Sequence, residues 1–170
     1  YVNNLEEKLS KVAGMLKTDG KNVVDVVEKY IAEAKNIVKE YEQLQTKLVK
    51  YEINELLENV DEINGVKVLK AAFANKDVNE LKEIVDRGKE KLQSGIIVLG
   101  SNNEKAIFVA GVTKDLVSKV KAGDIVKVAA QVTGGNGVGR PDFAQAGGKD
   151  GNAVEQAVEK AFEYITSQLS

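Results

Sequence analysis

VKVLKAAFANKDVNELKEIVDRGKEKLQSGIIVLGSNNEKAIFVAGV, residues 66–112, decides the fold. Two short apolar runs inside it, VKVLKAAF (66–73) and GIIVLGS (95–101), have the length and bounding turn residues of buried strands, and KAIFVAGV (105–112) reads as a third. The Asn-Asn-Glu between the last two is a hairpin turn. Between the first two, Asp77-Val78-Asn79-Glu80 has capping-box spacing, and Leu81, Ile84, Val85 and Leu92 follow on one helical face. A strand, a helix, a strand and an added hairpin strand predict a small α/β module.

Downstream, a short helix opened by Thr113 carries Leu116, Val117 and Val120, and a break is expected at Ala122-Gly123-Asp124. A second short helix then runs through Ile125, Val126, Val128 and Ala129. A glycine-rich loop follows, and a last amphipathic helix has Asn152 as N-cap and Val154, Ala157, Val158, Ala161, Phe162 and Ile165 on its buried face.

Upstream, Val2, Leu5, Leu9, Val12 and Leu16 are spaced by threes and fours. After a turn at Asp19-Gly20 the pattern resumes as Val23, Val27, Tyr30, Ala34, Ile37, Tyr41, Leu44, Leu48 and Tyr51, flanked by Glu28, Glu33, Lys35 and Lys39. Asn22 is the expected N-cap. Two antiparallel helices burying these seams on each other are predicted. At ~1.5 Å per residue the second, over about 22–59, spans roughly 55 Å against about 24 Å for the first. The distal seam, Tyr41, Leu44, Leu48 and Tyr51, therefore needs a cover: an upstream segment, the C-terminal module or a second copy. The pattern slips register at Ile53, Leu56, Leu57 and Val60.

The expected fold class is thus α+β or α/β. A coiled-coil-like antiparallel helical hairpin spans 1–62, and a globular module over 63–170 has a three- to four-stranded sheet packed with helices. The linker is near Asp61 to Gly65, and the glycine-rich loop occupies 134–151.

Composition narrows the chemistry. The 170 residues hold 24 basic and 26 acidic side chains, 43% apolar residues, no cysteine and no histidine. The usual zinc ligands, thiol nucleophiles and neutral-pH proton carriers are missing, and the charge balance argues against a nonspecific nucleic-acid binder. No apolar run approaches the roughly 20 residues of a membrane helix. No signal sequence is evident, and the start at Tyr1 without methionine leads us to expect a piece of a longer chain.

The segment GGNGVGRPDFAQAGGKDGN, residues 134–152, carries seven of the fifteen glycines and the one proline, Pro141. A dinucleotide fingerprint needs its glycines between a strand and a helix, whereas Gly-Asn-Gly-Val-Gly follows a helix with the wrong spacing. A Walker loop ending at Gly148-Lys149 would need glycine where Phe143 stands and Ser or Thr where Asp150 stands. Bare backbone does suit close approach to phosphate or a base edge. Arg140 and Lys149 add positive charge that Asp142 and Asp150 oppose, so the loop reads as a shape-reading surface or as a demanding turn with no partner.

GGNGVGRPDFAQAGG closely resembles a motif of bacterial alanyl-tRNA synthetases: a glycine cluster, Arg-Pro-Asp, an apolar residue, Ala-Gln and further glycines. The region from about Val66 onward is similar to their DHH-associated domain, and the heptad hairpin is similar to the helical part preceding it. Asn136 and Val138 interrupt a glycine run that is often purer, and Ala146 stands in place of a third glycine.

The resemblance implies a non-catalytic tRNA-binding domain that docks on the outer corner of tRNA(Ala) and helps link aminoacylation to editing in a cytoplasmic ligase. It implies no cofactor in this chain; ATP with magnesium, and zinc in the editing domain, belong to the full enzyme. The implied partners are tRNA(Ala), the aminoacylation and editing domains and, in some members, a second copy, here through Tyr41, Leu44, Leu48 and Tyr51. No membrane partner is implied. Arg140 is the residue for phosphate or stacking contacts, Asp142 and Gln145 for hydrogen bonds, Gly134, Gly135, Gly139, Gly147 and Gly148 for close backbone approach, and Lys149 for charge. Lys114, Lys119, Lys121 and Lys127 flank the loop. The alternative is a dimerisation module in which the glycine-rich segment is purely architectural.

Overall fold

In the computed structural model, which describes residues 1–170, two helices come first: α1 (Val2–Met15) and α2 (Val23–Glu58). Then follow β1 (Asp61–Ile63), β2 (Val66–Ala74), α3 (Val78–Leu92), β3 (Gly95–Asn103), β4 (Lys105–Val112), α4 (Ala122–Val132), β5 (Asn136–Gly139), β6 (Phe143–Gly148) and α5 (Val154–Leu169). The chain has two units, Tyr1–Leu48 and Val49–Ser170, so the last turns of α2 belong with the sheet.

The sheet has six strands in the order β1-β2-β3-β4-β6-β5. Strands β2 and β3 are parallel, connected through α3, and every other pairing is antiparallel. Asp77 caps α3 as its spacing predicts: its carboxylate accepts from Glu80 N at 2.9 Å, while the Glu80 carboxylate accepts from Asp77 N. One sheet face packs on α4 and α5 around Phe108, Ile125, Val158 and Ile165. The other packs on α3 and the end of α2, where Leu81, Ile84, Ile97 and Val109 meet Val49 and Ile53. The register slip at Ile53 marks this: the apolar stripe of α2 leaves its heptad seam to cover the sheet.

Three or four strands were expected, and the two hairpins account for the difference. Asn64 and Gly65, both left-handed at φ +50° and +81°, form the tight turn joining β1 to β2 where a linker was expected. The glycine-rich segment is the other hairpin, β5 and β6. Its inward positions, Ala144 and Ala146, lack the β-branched side chains that announce a strand, and both are buried in the core where α4 packs on β6.

Three helix boundaries differ from expectation. Residues 114–119 form successive turns, with Leu116 N bonded to Thr113 O and Lys119 N to Leu116 O, instead of a helix. Helix α4 runs through Ala122-Gly123-Asp124, where a break was expected, because Pro141 O accepts from Ala122 N at 2.9 Å and holds its first turn in place. The N-cap of α5 is Ala153, which has no side-chain bond; Asp150 caps the preceding 3-10 turn (Gly151–Ala153) by accepting from Asn152 N.

In the first unit both helices are present, but their seams do not bury each other. Val2, Leu5, Leu9 and Val12 are 42–63% exposed, and only Ala13 and Val23, close to the turn, are buried. Helix α1, at 14 residues against 36, offers little seam, and its covered part ends at the turn. Asn22 stands at the N-cap position of α2, its carbonyl accepting from Val26 N at 3.0 Å, while its side-chain amide donates to Asp19.

The turn after β4 carries a shifted acid. Ser94 Oγ donates to Asp115, and this bond, aided by Thr113 and by the charge of Lys119, holds the Asp115 carboxyl below its ordinary value of 3.8. A depressed folded pKa stabilises the fold above the unfolded value, and that contribution is lost as pH falls through the folded pKa. A carboxyl NMR titration should place Asp115 below 3.8 and should move it upward in Ser94→Ala; an unmoved titration would reject the Ser94 bond as its main cause.

Candidate functional site

The β5–β6 hairpin forms one side of the sheet. Strand β6 pairs with β4 (Phe108 opposite Ala146, Val109 opposite Gln145) and with β5 (Val138 opposite Gln145, Gly139 opposite Ala144), leaving β5 at the edge. Alternation then sorts the side chains. Ala144, Ala146 and Gly148 are buried on the α4 side; Gln145 and Gly147 point the other way and are exposed. Asn136 and Val138 share that open face, and Val138 is 78% exposed.

The glycines divide by what a side chain would meet. Gly135 lies against the Gly147 carbonyl, Gly139 against Ala144 and Gly148 against Thr133, all too close for a Cβ. Gly134 adopts φ +69°, a left-handed conformation. Gly147 differs: its nearest neighbour beyond the adjoining residues would be the Ala106 carbonyl at 3.8 Å, ordinary contact, and its backbone is not left-handed. The fold alone does not require glycine there.

The Arg140-Pro141-Asp142 turn is tied to its surroundings through the backbone. Arg140 N donates to Phe143 O, Pro141 O accepts from Ala122 N, and Asp142 O accepts from Val112 N and from Lys89 Nζ at 3.2 Å. The Arg140 side chain is 76% exposed and reaches the Asp142 carboxylate at 3.3 Å, a solvated pair that constrains it weakly. Lys82 Nζ stands 5.7 Å from the Phe143 ring centroid, so Lys82 and Lys89 add positive charge beside the turn.

The predicted residues therefore fall into two groups. Gly139, Arg140 and Asp142 lie at one end of β6; Gly134, Gly135, Gly147, Gly148 and Lys149 lie at the other, roughly 20 Å away at ~3.3 Å per residue. Gln145 sits between them. At the second end, the backbone N–H groups of Lys149 and Asp150 both donate to Thr133 O, so they are not free for a ligand. Lys114, Lys119, Lys121 and Lys127 are exposed, and Lys121 adjoins the Arg140 turn through Ala122. Sequence reasoning missed the exposed Val138 and the nearby Lys82 and Lys89. A β-branched residue between glycines was the available signal for the first; the lysines, more than fifty residues away in the chain, gave none. No group of carboxylates converges to hold a metal ion, and no helix is long and apolar enough to cross a membrane.

Comparison with known proteins adds a family. Residues 65–167 match the DHHA1 domain. The chain is 43% identical to alanine–tRNA ligase of Fusobacterium nucleatum over 168 residues, covering 99% of this chain and 19% of that protein. It is 40% identical to the Natranaerobius thermophilus alanine–tRNA ligase over 172 residues, 100% of this chain and 20% of that one. It thus spans about a fifth of the curated relatives it matches. Among solved structures, the C-Ala domain from Aquifex aeolicus alanyl-tRNA synthetase is similar, with TM-score 0.56 and 25% identity over 65% of this chain and 97% of that one. RecJ from Thermus thermophilus shares the fold, with TM-score 0.52 and 13% identity over 93% of this chain and 28% of that one.

Proposed function

This chain belongs to the DHHA1 domain family, and from that premise we propose that it is the non-catalytic tRNA-docking part of an alanine–tRNA ligase. Through the β5–β6 hairpin it engages the outer corner of tRNA(Ala), so that one tRNA serves both aminoacylation and editing. Its other partners are the catalytic and editing parts of the same cytoplasmic enzyme. ATP, magnesium and zinc are used there, and this chain needs no cofactor of its own.

The observation that carries the reading is Gly147. Bare peptide faces solvent there although the packing leaves room for a side chain, beside exposed Gln145 and on the open sheet face. Structured RNA is recognised through backbone, 2′-hydroxyls and a few exposed bases, which suits flat peptide with one amide and few cations. Arg140 and Lys149, at opposite ends of the hairpin, reach separate phosphates rather than one. Gly135, Gly139 and Gly148 act through the fold, and Gly147 through the contact.

Gel-shift titration of tRNA(Ala) tests this. Arg140→Ala/Gln145→Ala should weaken binding about tenfold or more and flatten the salt dependence by about one phosphate. Gly147→Val should weaken it comparably while leaving the melting temperature within a few degrees. A footprint should protect the tRNA elbow. Unaltered binding by both variants would reject the hairpin as the contact, and protection confined to the acceptor end would reject the docking mode. The architectural reading is favoured by the tight packing at Gly135, Gly139 and Gly148, and it requires that the chain dimerise without affinity for tRNA.

A further inference from the structure

We propose that the open edge of β2, from Lys70 to Ala74, is a docking site for an extended basic peptide of another protein, which adds to the sheet as a further strand. This goes beyond the RNA reading and does not depend on it. Strand β1 pairs only with Val66, Lys67 and Val68, so residues 69–74 have β3 on one side and no strand on the other. Asn75 N donates to Asn102 O of β3, which turns the Ala74 carbonyl of the same peptide unit away from β3. Alternation then points the N–H and C=O groups of Lys70, Ala72 and Ala74 outward together, and no other group of the chain bonds to them. Ala72 and Ala74 are exposed.

Sheet edges are ordinarily guarded by proline, a bulge or a free charge, because their vacant bonds invite another strand. Residues 70–74, Lys-Ala-Ala-Phe-Ala, hold no proline and pair with β3 residue for residue, without a bulge. Their one lysine is occupied: Lys70 Nζ binds Glu159 at 2.8 Å and stands 4.1 Å from the Phe162 ring centroid. Two cavities lie between this edge and α5, one against Ala74, Asn102 and Asn152, the other against Lys70 and Val158; Ala72 and Glu155 border both.

The charges along the edge choose the occupant. Residues of an added strand opposite Lys70, Ala72 and Ala74 share their face of the sheet, toward α5. There Glu155 borders both cavities and makes no ion pair, Glu159 is 59% exposed, and Asp61 stands exposed where the β1 pairing ends opposite Val68. Lys70, the one cation beside them, is already paired. Lysine or arginine at alternate positions therefore complements the edge, and the alanines leave room for their long stems. The intervening positions face the half-buried Ala71 and Phe73 and suit valine or threonine. A second copy does not fit: pairing edge to edge would set its Glu155 and Glu159 against the same residues of this chain, like charges across the new ladder.

The probe is the blocked heptapeptide Thr-Val-Lys-Val-Lys-Val-Thr. Titrated into the isotope-labelled chain, it should bind saturably below about 1 mM, move the amide signals of Lys70, Ala72 and Ala74, and slow their hydrogen exchange. With glutamate in place of both lysines it should bind at least about tenfold more weakly. Ala72→Pro removes one outward N–H and no bond within the sheet, so the melting temperature should stay within a few degrees while binding falls about tenfold or more. Glu155→Lys, a change at an exposed position, should weaken the lysine peptide by about the same factor. Equal binding of the two peptides, or Ala72 and Ala74 amides that stay unmoved, would overturn the inference. So would protection of those amides that vanishes on dilution of the chain alone, the sign of a second copy, or a full-length ligase that refuses the peptide, the sign that its own chain fills the edge. Arg140→Ala/Gln145→Ala should bind the peptide like the parent, so failure of the RNA reading leaves this one standing, and the reverse.

Discussion

Gly135→Ala should destabilise the sheet unit by about 3 kcal/mol, at the upper end of what overpacking does, whereas Gly147→Ala should change it by less than about 0.5 kcal/mol. The two glycines are neighbours across the hairpin and equally bare in sequence. A methyl on Gly135 would run into the Gly147 carbonyl and Gly148 Cα, backbone atoms of β6 that cannot rotate aside. Relief requires moving β5 away from β6 or α4 away from its seat, and Gly135 N would lose its bond to Ala130 O, now 2.8 Å. A methyl on Gly147 meets only the Ala106 carbonyl at ordinary distance. Urea denaturation of both variants and the parent would measure the contrast. Equal midpoints for Gly135→Ala and Gly147→Ala would show that the hairpin is looser than its packing indicates and would remove the distinction between structural and contact glycines.

Phe108→Ala should lower stability by about 3–5 kcal/mol, the range for truncating a fully buried phenylalanine. Phe108 is the largest of the fully buried side chains. It lies opposite Gly100 in the β3–β4 register, and the space above that glycine is filled by Val154 and Val158 of α5 and by the Phe108 ring itself. Removing the ring leaves a cavity beneath α5 that rigid strands cannot close. Phe162→Ala, at a half-buried position on the same helix, should cost clearly less. A calorimetric melt in which the two variants shift equally would mean that α5 is not anchored through Phe108.

The parts legible in the sequence share one property: their signals are local. KAIFVAGV (105–112) became β4 with the expected ends, and Asp77 with Glu80 became a capping box, because strand alternation and cap bonding are decided within a few residues. The motif carrying Arg-Pro-Asp and Ala-Gln was readable for the same reason, and it led to the family. What was hidden depends on partners distant in the chain. Ala144 and Ala146 look like loop residues until α4 is seen over them, and the turns at 114–119 look helical until Thr113 is seen exchanging hydrogen bonds with Gly95. Glycine carries no label saying whether its bareness serves the neighbouring strand or the outside.

By itself, then, the amino-acid order determined the helices, the β2-α3-β3 unit with its hairpin strand, the lack of histidine and cysteine chemistry, and the motif that identifies the family. Tertiary structure alone decided that the glycine-rich segment is a paired strand and its hairpin, that its cations stand at opposite ends, that Gly147 is exposed where neither packing nor backbone conformation requires glycine, and that α2 turns one face to the sheet while its seam stays bare. The physical reason is that backbone conformation and capping follow from neighbours in the chain, whereas close approach, burial and exposure follow from atoms brought together across more than a hundred residues, as Asn64 is brought to Leu169.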